Sequence, residues 1–244
     1  MFFFTTSSKI YFENNCKYLA LSLLNYSNRK LIVYSEDDLS EYSELIQFVP
    51  LIRKDELMKF QTSFRSIYSD TFKFMPYSAR MDIWVFKITA QLQFLSEHIN
   101  SSGVYIDSDS VVLNNKFINV IDKFINPCIN YDIGLFRRCG KHLHPESGFM
   151  FLSSNKVTNE VYLKMLNDIF TFQFYNLPSW TDCSLIDKYI INGQLDAFDF
   201  CSNYNLVTDN PVYESALSSS LLHLKGKRRK GKYSIIKHFI GWYK

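Results

Sequence analysis

Between residues 2 and 106 the chain switches repeatedly between short β-rich apolar runs and stretches with a helical hydrophobic period. That alternation narrows the fold more than any other feature. Phe2–Thr6 is a short apolar run ending in small polar residues, and Tyr11–Asn25 sets Tyr11, Ala20, Leu21 and Leu24 among polar residues as a helix would. Lys30–Tyr34 (KLIVY) reads as a strand that stops on Ser35-Glu36-Asp37-Asp38, and Gln47–Ile52 as another. Within Arg80–Ile99, Trp84, Ile88, Leu92, Leu95 and Ile99 recur at steps of 4, 4, 3 and 4, one face of a helix. The β-rich run Gly103-Val104-Tyr105-Ile106 then halts on Asp107-Ser108-Asp109. Strand, helix, strand, helix, strand implies βαβ units on a mainly parallel sheet flanked by helices. Such sheets take ligands at the carboxyl ends of their strands.

The second half is less regular. Asp132–Phe136 and Gly148–Leu152 read as strands, separated by a polar loop with Arg137, Arg138, His142, His144 and Glu146. Val157–Phe172 and Asp182–Ile191 read as helices, and Ala197–Phe200 as a last strand. Neither a repeat nor a Gly/Ser-rich linker interrupts the chain, so the expectation is one α/β domain over residues 1–244.

Composition removes several classes. Apolar residues make up 47% and charged residues 21%, which excludes wholesale disorder. Lys225, Lys227, Arg228, Arg229, Lys230 and Lys232 crowd into one short segment, and without them 21 basic residues face 24 acidic ones. The body is slightly acidic, with one anion-attracting stretch. The cysteines at 16, 128, 139, 183 and 201 include no CxxC pair. Neither a disulfide framework nor a structural zinc site is expected, and the reducing cytoplasm is the expected compartment. No run reaches the ~18 apolar residues of a membrane span. Met1-Phe2-Phe3-Phe4 lacks a basic flank and reads as a strand, not a signal peptide. GxxxxGK[ST], HExxH, GxSxG and GxGxxG are all absent, which argues against P-loop, zincin, α/β-hydrolase and dinucleotide chemistry.

Two elements could carry chemistry. In Tyr105-Ile106-Asp107-Ser108-Asp109 two carboxylates flank one small residue just past a buried strand. They can share a hard divalent cation whose remaining positions a diphosphate fills. The bland alternative is an Asp-Ser-Asp turn. In His223-Leu224-Lys225-Gly226-Lys227-Arg228-Arg229 an imidazole can add a ligand, Gly admits a phosphate to the backbone, and the basic side chains neutralise it. Its alternative is a solvated basic tail. Cys139 and Cys183 lack a recognisable His partnership and read as buried or incidental thiols.

Together these elements resemble glycosyltransferases of the GT-A fold, which use nucleotide-sugar donors. Within that fold the chain is similar to small families whose motifs read YxDxD and HxxGxxK. The matching residues are Tyr105, Asp107 and Asp109, then His223, Gly226 and Arg229, with Arg where Lys is usual and without the Pro-Trp that often follows. Ala79-Arg80-Met81-Asp82 resembles the helix whose Arg and Asp hold the donor. The likeness spans about residues 2 to 229 and implies a Rossmann-type sheet. Residues 1–113 would form the nucleotide-binding half, and 114–244 the acceptor half with its donor-closing basic segment. It implies Mn²⁺ or Mg²⁺ on Asp107, Asp109 and His223. The donor, with a UDP-sugar as first choice, would meet Thr5, Thr6, Arg80, Asp82, Lys87, Asp107, Ser108, Lys225, Gly226 and Arg229. Glu36 and Asp37 are weaker candidates for the base, equally readable as a solvated acidic turn. Asp107, Glu146 and Asp182 would carry the catalysis, with Glu146–Met150 under the donor sugar and Trp180-Thr181-Asp182 facing a glycan or other hydroxyl acceptor. The HxxGxxK-like element leans towards retention; an inverting enzyme would need Glu146 or Asp182 as base.

The rival reading is a polyanion- or nucleic-acid-binding protein that uses residues 225–232. It leaves the paired carboxylates unexplained, and no aromatic lies between Lys225 and Lys232 to stack on bases. A nucleic-acid partner is therefore not expected.

Overall fold

A computed structural model describes residues 1–69, 79–137, 145–206 and 215–223. The elements in chain order are β1 (Phe2–Thr6), α1 (Lys9–Tyr11), α2 (Lys17–Ser27), β2 (Leu31–Ser35), β3 (Ile46–Pro50), α3 (Lys54–Ser69) and α4 (Met81–Glu97). They continue with β4 (Ser102–Ile106), β5 (Ser110–Val112), α5 (Phe117–Ile125), β6 (Ile133–Arg137), β7 (Pro145–Ser153), α6 (Lys156–Phe170), α7 (Asp182–Ile191), β8 (Ala197–Asp199), α8 (Phe200–Asn203) and β9 (Leu221–His223). The strands and helices read from the sequence fall where expected, within a few residues at their ends. A π-helical turn over Phe12–Cys16 joins α1 to α2.

Seven strands form one sheet in the order β3-β2-β1-β4-β7-β6-β8. Every pairing is parallel except those of β7, which runs antiparallel to both β4 and β6. The sheet is thus mainly parallel, with one reversed strand. Because side chains alternate along a strand, neighbours in sequence serve opposite faces. Phe4, Tyr34, Tyr105 and Met150 enter a core with α3, α4, α6 and α7. Phe3, Val33, Val104 and Phe149 enter a second core with α2 and α5. Both sheet faces are covered, which is why KLIVY and GVYI are apolar throughout instead of alternating.

Strand order turns back between β1 and β4, the topological switch point where open α/β sheets form their cleft. Two pairings then import distant residues. β7 lies beside β4 with Ile106 opposite Phe149, and the Asp107 N–H donates to the Gly148 carbonyl at 2.8 Å. β9 pairs with β5 in a separate two-stranded sheet that sets His223 opposite Ser110. Among the described residues no helix is long and apolar enough to cross a membrane.

Candidate functional site

The chain leaves β4 at Ile106 and turns through Asp107, with the Ser110 N–H donating back to the Asp107 carbonyl at 3.0 Å. That turn presents Asp107 and Asp109 at the switch point. Glu146, Ser147 and Gly148 arrive across the sheet on β7, and His223 arrives on β9. Lys87 comes from two turns into α4, and Asp182 is the first residue of α7.

On one side of Asp107 sits Lys87, only 3% exposed. Its Nζ donates to Asp107 Oδ1 at 2.9 Å, to the Ser147 carbonyl at 2.8 Å and to Ser147 Oγ at 3.0 Å. The same Nζ lies 3.0 Å from Asp182 Oδ2 and 4.6 Å from the centre of the Tyr105 ring. Burial disfavours its charge, but Asp107 and then Asp182 outweigh that and hold the ammonium protonated, well above the usual lysine range. Ser147 Oγ also contacts Cys183 Sγ at 3.1 Å, and burial pushes that thiol up to about 12. Cys183 is therefore a neutral packing group beside the site, with no thiolate for nucleophilic work.

The other side is built of potential metal ligands. His223, 1% exposed, places Nε2 at 3.3 Å from Asp107 Oδ2 and 3.0 Å from Asp109 Oδ1. Ligand atoms of Asp107, Glu146 and His223 all lie within 4.8 Å of one another. Between them is Gly148. A Cβ there would come within 2.6 Å of His223 Cε1, 2.8 Å of Asp107 Oδ2 and 2.9 Å of Glu146 Oε1. Any larger residue would fill the space on which three ligand side chains converge. Hard carboxylate oxygens with one imidazole suit Mn²⁺ and tolerate Mg²⁺, so this donor set fits the implied divalent cation.

The expected residues fall into three groups. Asp107, Asp109 and His223 come together, while Lys87, expected on the donor, places its ammonium on Asp107, Ser147 and Asp182. Glu146, read from sequence as acceptor-facing, is 6% exposed and belongs to the ligand cluster, its Oε1 accepting the Gly148 N–H at 3.1 Å. Asp182, 1% exposed, spends its carboxylate on Lys87 and opens α7 behind the Thr181 cap. The helix-start reading of Asp182 therefore holds alongside its place in the site.

Thr5 is fully buried in β1, while the Thr6 hydroxyl donates to the Tyr34 carbonyl at 3.0 Å. Asp37 accepts the Lys9 N–H at 2.8 Å, which gives that acidic turn a structural job. Glu36, the other weak base candidate, has its carboxyl raised by burial. Ser108 lies in the turn between the two aspartates. Arg80 donates to Asp82 at 2.9 and 3.2 Å, and a second arginine, Arg65 of α3, donates to the same carboxylate at 2.8 Å. Burial raises the Asp82 carboxyl, but the hydrogen bonds from Arg80 and Arg65 win and hold it below its usual range. Arg138, His142, His144, Lys225, Gly226 and Arg229 lie outside the described residues.

Sequence reading missed Arg65, because nothing local links α3 to Asp82. It missed the role of Ser147 as a lysine anchor too, although the Glu146–Met150 segment containing it was singled out.

No protein-family model matches the chain, and no curated protein matches it. Solved structures do. The apo form of the glycosyltransferase GlyE from Streptococcus pneumoniae TIGR4 superposes with a TM-score of 0.55 at 14% identity, over 92% of this chain and 54% of GlyE. The galactosyltransferase LgtC, solved with donor and acceptor sugar analogues, gives a TM-score of 0.52 at 12% identity, over 93% of this chain and 88% of LgtC. The chain spans about half the length of GlyE and most of LgtC. Its architecture is the GT-A fold of these glycosyltransferases.

Proposed function

We propose that the protein is a metal-dependent glycosyltransferase that moves a sugar from a nucleotide-sugar donor to a hydroxyl of a glycan or similar acceptor. A UDP-sugar is the first choice of donor, and retention is the proposed stereochemical course. The observation that carries this reading is the convergence of Asp107, Glu146 and His223 around Gly148, with Asp109 against His223, at the switch point of a GT-A sheet.

Asp107, Asp109 and His223, with Glu146 beside them, would hold Mn²⁺ or Mg²⁺. When bound, the cation supplies Lewis-acid neutralisation of the charge that gathers on a departing nucleoside diphosphate. The protein does the rest. Lys87 fixes the Asp107 carboxylate through Oδ1 and keeps Oδ2 turned to the cluster. The backbone bond from Asp107 to Gly148 locks β4 to β7, so the cluster keeps its shape without a ligand to template it. Gly148 lets His223, Asp107 and Glu146 approach one another where a side chain would collide with all three. Arg80 and Arg65, both oriented by Asp82, offer their remaining N–H groups to an anion. Because the Asp182 carboxylate is engaged by Lys87 at 3.0 Å, it is placed to orient hydroxyls and not to act as a free base. A retaining course, which needs no strong protein base, is in keeping with this. The basic segment from Lys225 is assigned to closing on the diphosphate, and the cytoplasm as site of action accords with the free thiols of Cys16, Cys128, Cys183 and Cys201.

The test is a screen of nucleotide sugars for release of nucleoside diphosphate with and without Mn²⁺. Release with one or a few donors only when Mn²⁺ is present is expected. Indifference to Mn²⁺ and to every donor would end the proposal.

A further inference from the structure

Beside the ion-paired floor of the cleft runs a strip of rings that the donor chemistry does not use. Tyr68 closes α3, Tyr175 sits on the 3-10 turn Gln173–Asn176 after α6, and Trp180 lies two residues before Asp182. Their ring centres are 5.7 Å apart for Tyr68 and Tyr175, 5.1 Å for Tyr68 and Trp180, and 5.1 Å for Tyr175 and Trp180. All three are partly open to solvent, Tyr175 at 37%. The strip continues through Phe172, whose ring centre is 5.6 Å from that of Tyr175, into a surface depression of about 330 Å³ with polar atoms from Glu56, Lys59 and Ser63.

The backbone is bent to make this surface. Phe172 takes φ +60, in the left-handed region where glycine is usual after a helix. A bulky residue there is a true outlier and costs roughly 1–3 kcal/mol. The turn it forces is what carries Tyr175 round to Tyr68 and Trp180.

From these observations we infer that Trp180, Tyr175, Tyr68 and Phe172 form an extended acceptor subsite that binds an oligosaccharide chain, with its reacting end beside Asp182 and its far end over the depression bordered by Lys59 and Ser63. Aromatic faces take the C–H faces of pyranose rings, and the flanking polar groups take hydroxyls. Alternating apolar rings and hydrogen-bonding groups in an open strip suit a linear saccharide. A nucleotide base would find the rings too tilted to one another for parallel stacking. The inference rests on the glycosyltransferase reading for its reacting end only.

The experiment therefore separates the two. Lactose, maltotriose, cellotriose and chitotriose are titrated into the protein without donor, followed by intrinsic fluorescence and saturation-transfer NMR. UDP and GDP binding with Mn²⁺ is measured in parallel. At least one saccharide should bind. Tyr175→Ala and, at the far end, Ser63→Arg should each weaken it about five- to tenfold, with unchanged melting temperature and the loss confined to the saccharide. Tyr175→Phe should restore most of the affinity, and Trp180→Phe should abolish the fluorescence change. If no saccharide binds, or if Tyr175→Ala and Ser63→Arg both bind as the wild type does, the subsite is refuted even where nucleotide binding stands. If saccharide binding follows the variants but neither nucleotide binds, the strip stands and the transferase reading falls.

Discussion

The two sides of Asp107 are built on different physics. At Oδ1 the protein supplies its own cation: Lys87 gathers Asp107, Ser147 and Asp182 from three elements and is sealed from water. At Oδ2 the neighbours are an imidazole and further carboxylates around the open Cα of Gly148. The first arrangement is complete in itself and holds the fold. The second has the donor set and the gap that suit a cation from outside. One carboxylate bridges both, so the ligand-rich side is held in place by the lysine side.

The largest effect should come from the lysine side. Lys87→Met leaves the buried Asp182 and the partly buried Asp107 without their ammonium, a loss of about 3–5 kcal/mol. Urea denaturation should show a large drop in midpoint. An unchanged midpoint would mean the two sides do not differ as described.

Gly148→Ala probes the other side. The Cβ would meet only side-chain ends, so the fold should survive while the ligand atoms are pushed apart. Mn²⁺-dependent nucleotide binding should fall about ten- to hundredfold, the range seen when groups that support a metal site are disturbed. Calorimetry on the variant checks it, and wild-type affinity would show that the gap at Gly148 is incidental.

Glu146→Gln and Asp182→Asn sharpen the boundary between the sides. Glu146 belongs to the ligand cluster, so its variant should lose about tenfold in Mn²⁺-dependent nucleotide affinity. Asp182 belongs to the lysine side, so its variant should lower transfer with little change in that affinity. The reverse pattern would exchange their roles.

The smallest effect lies at the rim. Asp82 has its carboxyl held below its ordinary value of 3.8. A depressed carboxyl stabilises the fold fully above that value, and the contribution is lost as pH falls through the lower folded value. Wild type should therefore lose more stability than Asp82→Asn on acidification below about pH 4. Parallel acid-denaturation curves would show that the two arginines do not perturb it.

These differences also explain what could be read without coordinates. β1, β2 and β4 were legible as short apolar runs because both sheet faces are buried, and α4 because its apolar residues keep a helical period. The paired aspartates were legible because they lie two residues apart, directly after an apolar strand. α5 left a usable trace that was passed over, with Phe117, Ile121, Phe124 and Ile125 on one face. So did α3, where Leu57, Phe60 and Phe64 recur at helical steps. The short strand β9 could not be found by pattern, since three residues have no measurable period and its partner lies more than a hundred residues away. That pairing alone seats His223. The division of Glu146 from Asp182 was hidden for a related reason. Both are acidic residues near turns, and only the antiparallel entry of β7 and the packing of α7 on α4 decide which meets the cluster and which meets Lys87.

The central claim is that Asp109 and its neighbours bind nucleotide through a divalent cation. The most direct measurement is calorimetric titration of UDP and GDP into wild type and Asp109→Asn, each with Mn²⁺ and with chelator. The account predicts binding by the wild type with Mn²⁺, its loss with chelator, and its near-complete loss in Asp109→Asn at an unchanged denaturation midpoint. Equal binding by both proteins, or binding that ignores the chelator, would contradict it.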